Sequence, residues 1–130
     1  MADEASRPLS ILLVDDHPDS LHLLARLLRR CGHDVETARS VEEATSAVGG
    51  RRFDVLVSDL GLPDGSGTDV MRLVRDAGTP GIALTGYGEE QLVQECEEAG
   101  FAERLLKPVV FQKLVEAMEA VLPAEAKPIC

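Results

Sequence analysis

The chain has 130 residues, 45% of them hydrophobic but only 3% aromatic, and a formal net charge of −10 at pH 7. One domain of this size buries roughly two-thirds of the surface its unfolded chain exposes, around a core of Leu, Val, Ala and Ile. The acidic balance argues against nucleic acid or an anionic membrane as a direct partner, since each requires a cationic face. Arg26, Arg29 and Arg30 cluster on one predicted helix and read as a solvated face. The three cysteines, Cys31, Cys96 and Cys130, share no metal-type spacing and are expected as reduced thiols. No signal-like amino terminus and no apolar run of about 18 residues is present, so a soluble, cytoplasmic protein with no membrane partner is expected.

Residues 1–8 are polar and end in Pro8. Ile11 to Val14 is a short apolar run that reads as a buried strand and ends in Asp15-Asp16. Pro18 stands where a first helical position tolerates its missing N–H. Leu21, Leu24, Ala25 and Leu28 follow at helical spacing, and Gly32 is the expected left-handed cap. His33 to Ala38 alternates as a more exposed strand. Ser40-Val41-Glu42-Glu43 has the pattern of a capping box, for a helix ending at Gly49-Gly50.

Asp54 to Ser58 is the central buried strand and delivers Asp59 to its carboxyl end. Pro63, Gly65 and Gly67 then predict a loop without regular structure. A helix starts within 66–69, carries Val70, Leu73 and Val74 inward, and stops at Gly78. Gly81 to Leu84 is a strand that delivers Thr85. A helix over 89–99 turns Leu92, Val93, Cys96 and Ala99 inward and ends at Gly100. Leu105-Leu106 closes a fifth strand and delivers Lys107-Pro108. Val110, Phe111, Leu114, Val115, Met118 and Leu122 make a last amphipathic helix, stopped by Pro123. Five alternations of strand and helix imply one domain over 9–122 with flexible termini at 1–8 and 123–130, built on a parallel sheet with helices on both faces.

Parallel strands share direction, so Asp15, Asp16, Asp59, Thr85 and Lys107 must lie along one edge of the sheet, the edge where such folds bind ligands. Three carboxylates so close repel one another unless a cation intervenes. A hard divalent ion with oxygen ligands fits, and Mg²⁺ (or Mn²⁺) leaves positions for phosphate oxygens. Lys107 offers a point charge and Thr85 a hydroxyl, the equipment for stabilising a phosphoryl group in transfer. Asp59 is the acid left to act as nucleophile.

Val14-Asp15-Asp16, Ser58-Asp59 with Leu62-Pro63-Asp64-Gly65, Ala83-Leu84-Thr85-Gly86 and Leu106-Lys107-Pro108 resemble, in order and at the right strand ends, the receiver domains of two-component response regulators. The resemblance spans residues 9–122 and implies a flavodoxin-like, doubly wound five-stranded parallel sheet of order 2-1-3-4-5 with five helices. It implies that Asp59 accepts a phosphoryl group from a histidine kinase or histidine phosphotransfer protein. Asp16, Asp59 and the carbonyl of Gly61 would ligate Mg²⁺, with Asp15 acting mainly through a water. Lys107 would pair with phosphoryl oxygens across a cis bond to Pro108, and Gly86 would leave the site open to attacking groups.

One position departs from the family pattern. Arg104 stands where an aromatic residue or His is usual, so inward burial of a ring is not expected; the guanidinium would turn toward acids such as the glutamates of the preceding helix. Tyr87 is expected to overhang the site and tune access of water. Asp64 reads as a turn residue and not a ligand, and His17 as a cap or surface residue. The glutamates at 89, 90, 95, 97 and 98 make one helix face strongly acidic.

The leading expectation is a signalling switch that catalyses only its own phosphorylation and dephosphorylation, either standing alone or as the receiver of a hybrid sensor kinase. The alternatives are a docking-only pseudo-receiver, an aspartate-nucleophile phosphatase of the haloacid-dehalogenase type, and a flavin-binding protein. The phosphatase pattern lacks its Asp-x-Asp here, since His17 stands two residues after Asp15. A flavin phosphate would be repelled by Asp15-Asp16.

Overall fold

The computed structural model describes residues 8–86 and 88–123. In chain order the elements begin with β1 (Ser10–Val14), α1 (Pro18–Arg30), β2 (Asp34–Ala38), α2 (Val41–Gly50) and β3 (Val55–Asp59). A small hairpin follows, β4 (Gly61–Leu62) and β5 (Gly65–Ser66), then α3 (Gly67–Arg75) and β6 (Gly81–Thr85). A 3-10 turn (Glu90–Leu92), α4 (Val93–Ala99), β7 (Glu103–Leu106) and α5 (Phe111–Val121) complete the described chain. The main sheet has the order β2-β1-β3-β6-β7, all neighbours parallel. With the hairpin set aside, this is the expected 2-1-3-4-5.

Every residue of β3 and β6 is buried, and so are the last four of β1. That is why they read as continuous apolar runs rather than alternations. Successive side chains point to opposite faces: Ile11 and Leu13 join α1 and α5 in one core, while Leu12 and Val14 join α2, α3 and α4 in the other. The outer strands differ. β2 exposes Asp34 and Glu36, with an Arg51 guanidinium nitrogen 2.9 Å from Asp34 and another 3.8 Å from Glu36. β7 exposes Glu103 and Arg104.

Helix ends follow their sequence signals. Pro18 opens α1, and Gly32, Gly78 and Gly100 adopt positive φ where the helices stop. Ser40 accepts from Glu43 N–H, but Glu43 Oε1 accepts from Arg39 rather than from Ser40, so the expected box is displaced by one residue. The reciprocal box occurs at α3, where Ser66 accepts from Thr68 N–H and Asp69 accepts from Ser66 N–H.

Five expectations need correction. The loop after Asp59 is not structureless: it holds the β4–β5 hairpin, and Gly67 is the first residue of α3. α3 buries Met71 in place of Leu73, which is 42% exposed. The helix expected over 89–99 begins as a 3-10 turn, so its α-helical part is only Val93–Ala99, and Val110 caps α5 at 60% exposure instead of packing in the core. Cys96 is a free, buried thiol as expected, but Cys31 is disulfide-bonded.

Candidate functional site

β1, β3, β6 and β7 all deliver their carboxyl ends to one rim, where Asp15, Asp16, Asp59 and Lys107 come together, while the hydroxyl of Thr85, expected to join them, is bonded to Leu105 O instead. β3 ends with Asp59, 6% exposed, whose Oδ2 lies 2.6 Å from Lys107 Nζ. Lys107 follows β7 across a cis bond to Pro108, and its N–H donates to Thr85 O at 2.7 Å. Asp15 is 1% exposed; its Oδ1 accepts from His17 N–H at 2.9 Å, while Oδ2 is buried and has no hydrogen-bond partner among the described residues. Asp16 is half-buried, with His17 Nδ1 3.5 Å from its Oδ1.

The electrostatics are those of crowded acids. Burial pushes the Asp59 carboxyl above its ordinary value, Lys107 pulls it down by hydrogen bond and charge, and Asp15 and Asp16 push it up again. An ammonium therefore partly answers three neighbouring carboxylates. A buried carboxylate oxygen without a partner is costly, and Asp15 Oδ2 is such an atom. Asp15, Asp16 and His17 can each offer a ligand atom within 4.8 Å of the others. The donor set suits a hard oxygen-seeking cation, for which the carboxylates are better ligands than an imidazole. Gly61 lies on β4, exposed and with open space where a Cβ would be; only its backbone would serve such an ion.

The backbone around Asp59 is tightly fitted. Ser58 Oγ donates to Asp59 O at 2.9 Å, and Gly67 N–H donates to Leu60 O at 2.9 Å. A Cβ on Gly67 would collide with Asp59 O and come within 2.8 Å of Ser58 Oγ. Gly67 is thus required by close approach of α3 to the strand that carries the acid, a role its place among turn glycines concealed. Asp64 also does more than turn the chain: its carboxylate accepts from Val41 N–H at 2.8 Å and Glu42 N–H at 3.0 Å, capping α2 from the hairpin. Those bonds hold its carboxyl below the usual range.

Thr85 is buried, and its Oγ1 donates to Leu105 O at 3.3 Å, along the sheet toward β7. Gly86 follows at the open end of the strand, and its N–H donates to Glu89 Oε1 at 2.5 Å, a contact the sequence reading did not single out. Arg104 is exposed, as expected for a residue that is not a buried ring, and lines a groove of about 280 Å³ with Thr85, Gly86, Glu89, Glu90, Val93 and Leu106. Tyr87 lies outside the described residues. Beside Lys107, Pro108 and Val109, a smaller cavity of about 180 Å³ opens against Leu23 and Leu24 of α1.

Comparison with known proteins identifies this arrangement. Residues 11–119 match the family described as the response regulator receiver domain. The chain is 36% identical over 113 residues to the response regulator protein PilR of Pseudomonas aeruginosa, covering 85% of this chain and 25% of PilR. It is 30% identical over 118 residues to the sensory/regulatory protein RpfC of Xanthomonas campestris pv. campestris, covering 86% of this chain and 16% of RpfC. The chain thus spans a quarter or less of these relatives. The chemotaxis response regulator CheY4 of Vibrio cholerae superposes with a TM-score of 0.80 at 29% identity, over 88% of this chain and 99% of that one. Family match, strand order and the acid-and-lysine rim agree: the chain belongs to the response regulator receiver domains of two-component systems.

Proposed function

We propose that this receiver is a phosphoacceptor switch, in which Asp59 takes a phosphoryl group from a phosphohistidine of a kinase or phosphotransfer protein. The observation that carries the reading is the Asp59–Lys107 contact at 2.6 Å beside the buried Asp15 Oδ2, which has no partner among the described residues. A carboxylate oxygen of Asp59 attacks phosphorus in line; the new P–O bond forms as the P–N bond breaks, and its electron pair returns to the imidazole nitrogen. Lys107 stays against the developing charge on the phosphoryl oxygens. Asp15, Asp16, Asp59 and the Gly61 carbonyl would hold Mg²⁺, which when bound supplies a Lewis acid for those oxygens and cancels the acids' mutual repulsion. Water attack on phosphorus later breaks the bond to Asp59 and releases inorganic phosphate, so the chain resets itself without turning over a metabolite.

The donor histidine needs a docking face beside this rim. Leu23, 58% exposed on α1, and the cavity between α1 and Lys107-Pro108-Val109 offer an apolar one. Phosphorylation of Asp59 would bias the conformations of the rim and hence the surfaces a partner reads.

Intact mass after incubation with acetyl phosphate and Mg²⁺ tests the reading. The expected result is a gain of one phosphoryl group that requires the metal and is absent in Asp59→Asn. No gain in the unaltered protein would leave the domain as a docking module.

A further inference from the structure

In a parallel ladder alternate residues of a strand present their N–H and C=O groups to the same neighbour. Leu84 faces β3: it is in register with Asp59, and its carbonyl accepts from Leu60 N–H at 3.3 Å. Gly86 lies two residues on, one past the end of β6, and the same alternation carried one residue beyond the ladder would turn its N–H to the β3 side, toward the end of the strand that carries Asp59. That donor is already taken. Glu89 Oε1 accepts from it at 2.5 Å, and Glu89 N–H donates back to Gly86 O at 3.3 Å, so the two residues form a closed clasp. Among the described residues, chain neighbours aside, Glu89 Oε1 is also the only atom within 4 Å of where a Gly86 Cβ would stand.

We propose that Glu89 is a positioning residue that competes with the incoming phosphoryl group: its carboxylate occupies the Gly86 N–H that a phosphoryl oxygen on Asp59 would use. The inference rests on the phosphoacceptor reading of Asp59. A carboxylate and a phosphoryl oxygen are both anionic acceptors, and one N–H aimed into the rim serves one of them at full strength. When the phosphoryl group arrives, Glu89 must leave. Arg104 lines the same groove and supplies the positive charge that receives it. Departure of Glu89 opens the clasp and releases the turn leading into α4. Loading of Asp59 is thereby converted into a new acid–guanidinium pairing on the groove between β7 and α4.

The test compares the unaltered protein with Glu89→Ala and Glu89→Gln, reading the rate of phosphorylation by acetyl phosphate with Mg²⁺ and, separately, the affinity for beryllofluoride as a non-reacting phosphoryl mimic. Removing the competing charge is expected to speed phosphorylation and tighten beryllofluoride binding by about tenfold. Arg104→Ala is expected to slow phosphorylation in the unaltered background and to have little effect alongside Glu89→Ala, a non-additivity that a merely structural turn would not produce. Equal rates and affinities across all these proteins, with the unaltered protein phosphorylated normally, would overturn the competition alone. An unaltered protein that takes up neither phosphoryl group nor beryllofluoride would overturn the phosphoacceptor reading, and the competition with it.

Discussion

Asp15 carries the sharpest cost at the scale of a single residue. One carboxylate oxygen is spent on His17 N–H, and the other is buried without a partner among the described residues. Asp15→Asn removes the buried charge and is expected to raise the unfolding free energy by about 1 kcal/mol in metal-free buffer. Mg²⁺ is expected to stabilise the unaltered protein, as any ligand that binds only the folded state does, and to stabilise the variant far less. Urea unfolding with and without MgCl₂ measures both; a variant no more stable than its parent without metal would contradict the account. The meeting of Asp15, Asp59 and Lys107 on one rim was legible in the sequence because strand direction alone puts them there. Glu89 was not, since nothing in its spacing from Gly86 announces that its side chain folds back onto that backbone.

At the scale of elements, the strands were easier to read than the segments between them. β1, β3 and β6 are buried on both faces, so composition sufficed. The segment after Asp59 misled because its glycines and proline suit a turn as well as they suit what occurs, a two-residue hairpin and a helix start pressed against a strand. α4 was extended too far because Glu89 to Leu92 has helical composition, whereas Glu89 is engaged with Gly86 and the chain enters the helix through a 3-10 turn. Leu73 and Met71 exchanged places because a nine-residue helix fixes its buried face by tertiary contact more than by period. The fit at the start of α3 gives a definite expectation: Gly67→Ala should cost about 2 kcal/mol, within the range for forcing atoms into a filled site. It should also lower phosphorylation by displacing Asp59. Chemical denaturation and intact mass report the two effects, and an alanine tolerated without loss of either would refute the close approach.

The whole molecule is pinned where its sheet begins as well as where it ends. His33 is buried, and its Nδ1 accepts from Leu9 N–H at 3.1 Å, tying the chain before β1 to the chain before β2. Accepting there keeps the ring neutral, and burial holds its pKa below the ordinary 6.5. As pH falls through 6.5 the unfolded histidine takes up a proton that the folded one refuses. The unfolded chain then binds more protons, so this contribution to stability is present above 6.5 and is lost as pH falls toward the folded value. His33→Asn, whose amide oxygen can accept the same bond, should show a flatter loss of stability between about pH 7 and 5. Parallel slopes for the two proteins would assign the acid sensitivity elsewhere. The alternation of this strand was visible in the sequence, but the burial of the histidine before it depends on where Leu9 passes in three dimensions.

The two outer strands have a consequence for the molecule in a crowd. Each leaves a row of backbone donors and acceptors facing outward, a template on which another chain could add itself. β2 guards its row with Asp34 and Glu36 straddled by Arg51, and β7 guards the other with Glu103 and Arg104. An added strand would have to strip water from those ions before making its first ladder bond. The charges that flank the sheet therefore favour partners that dock through side chains over partners that extend the sheet. They also leave the chain resistant to edge-to-edge aggregation.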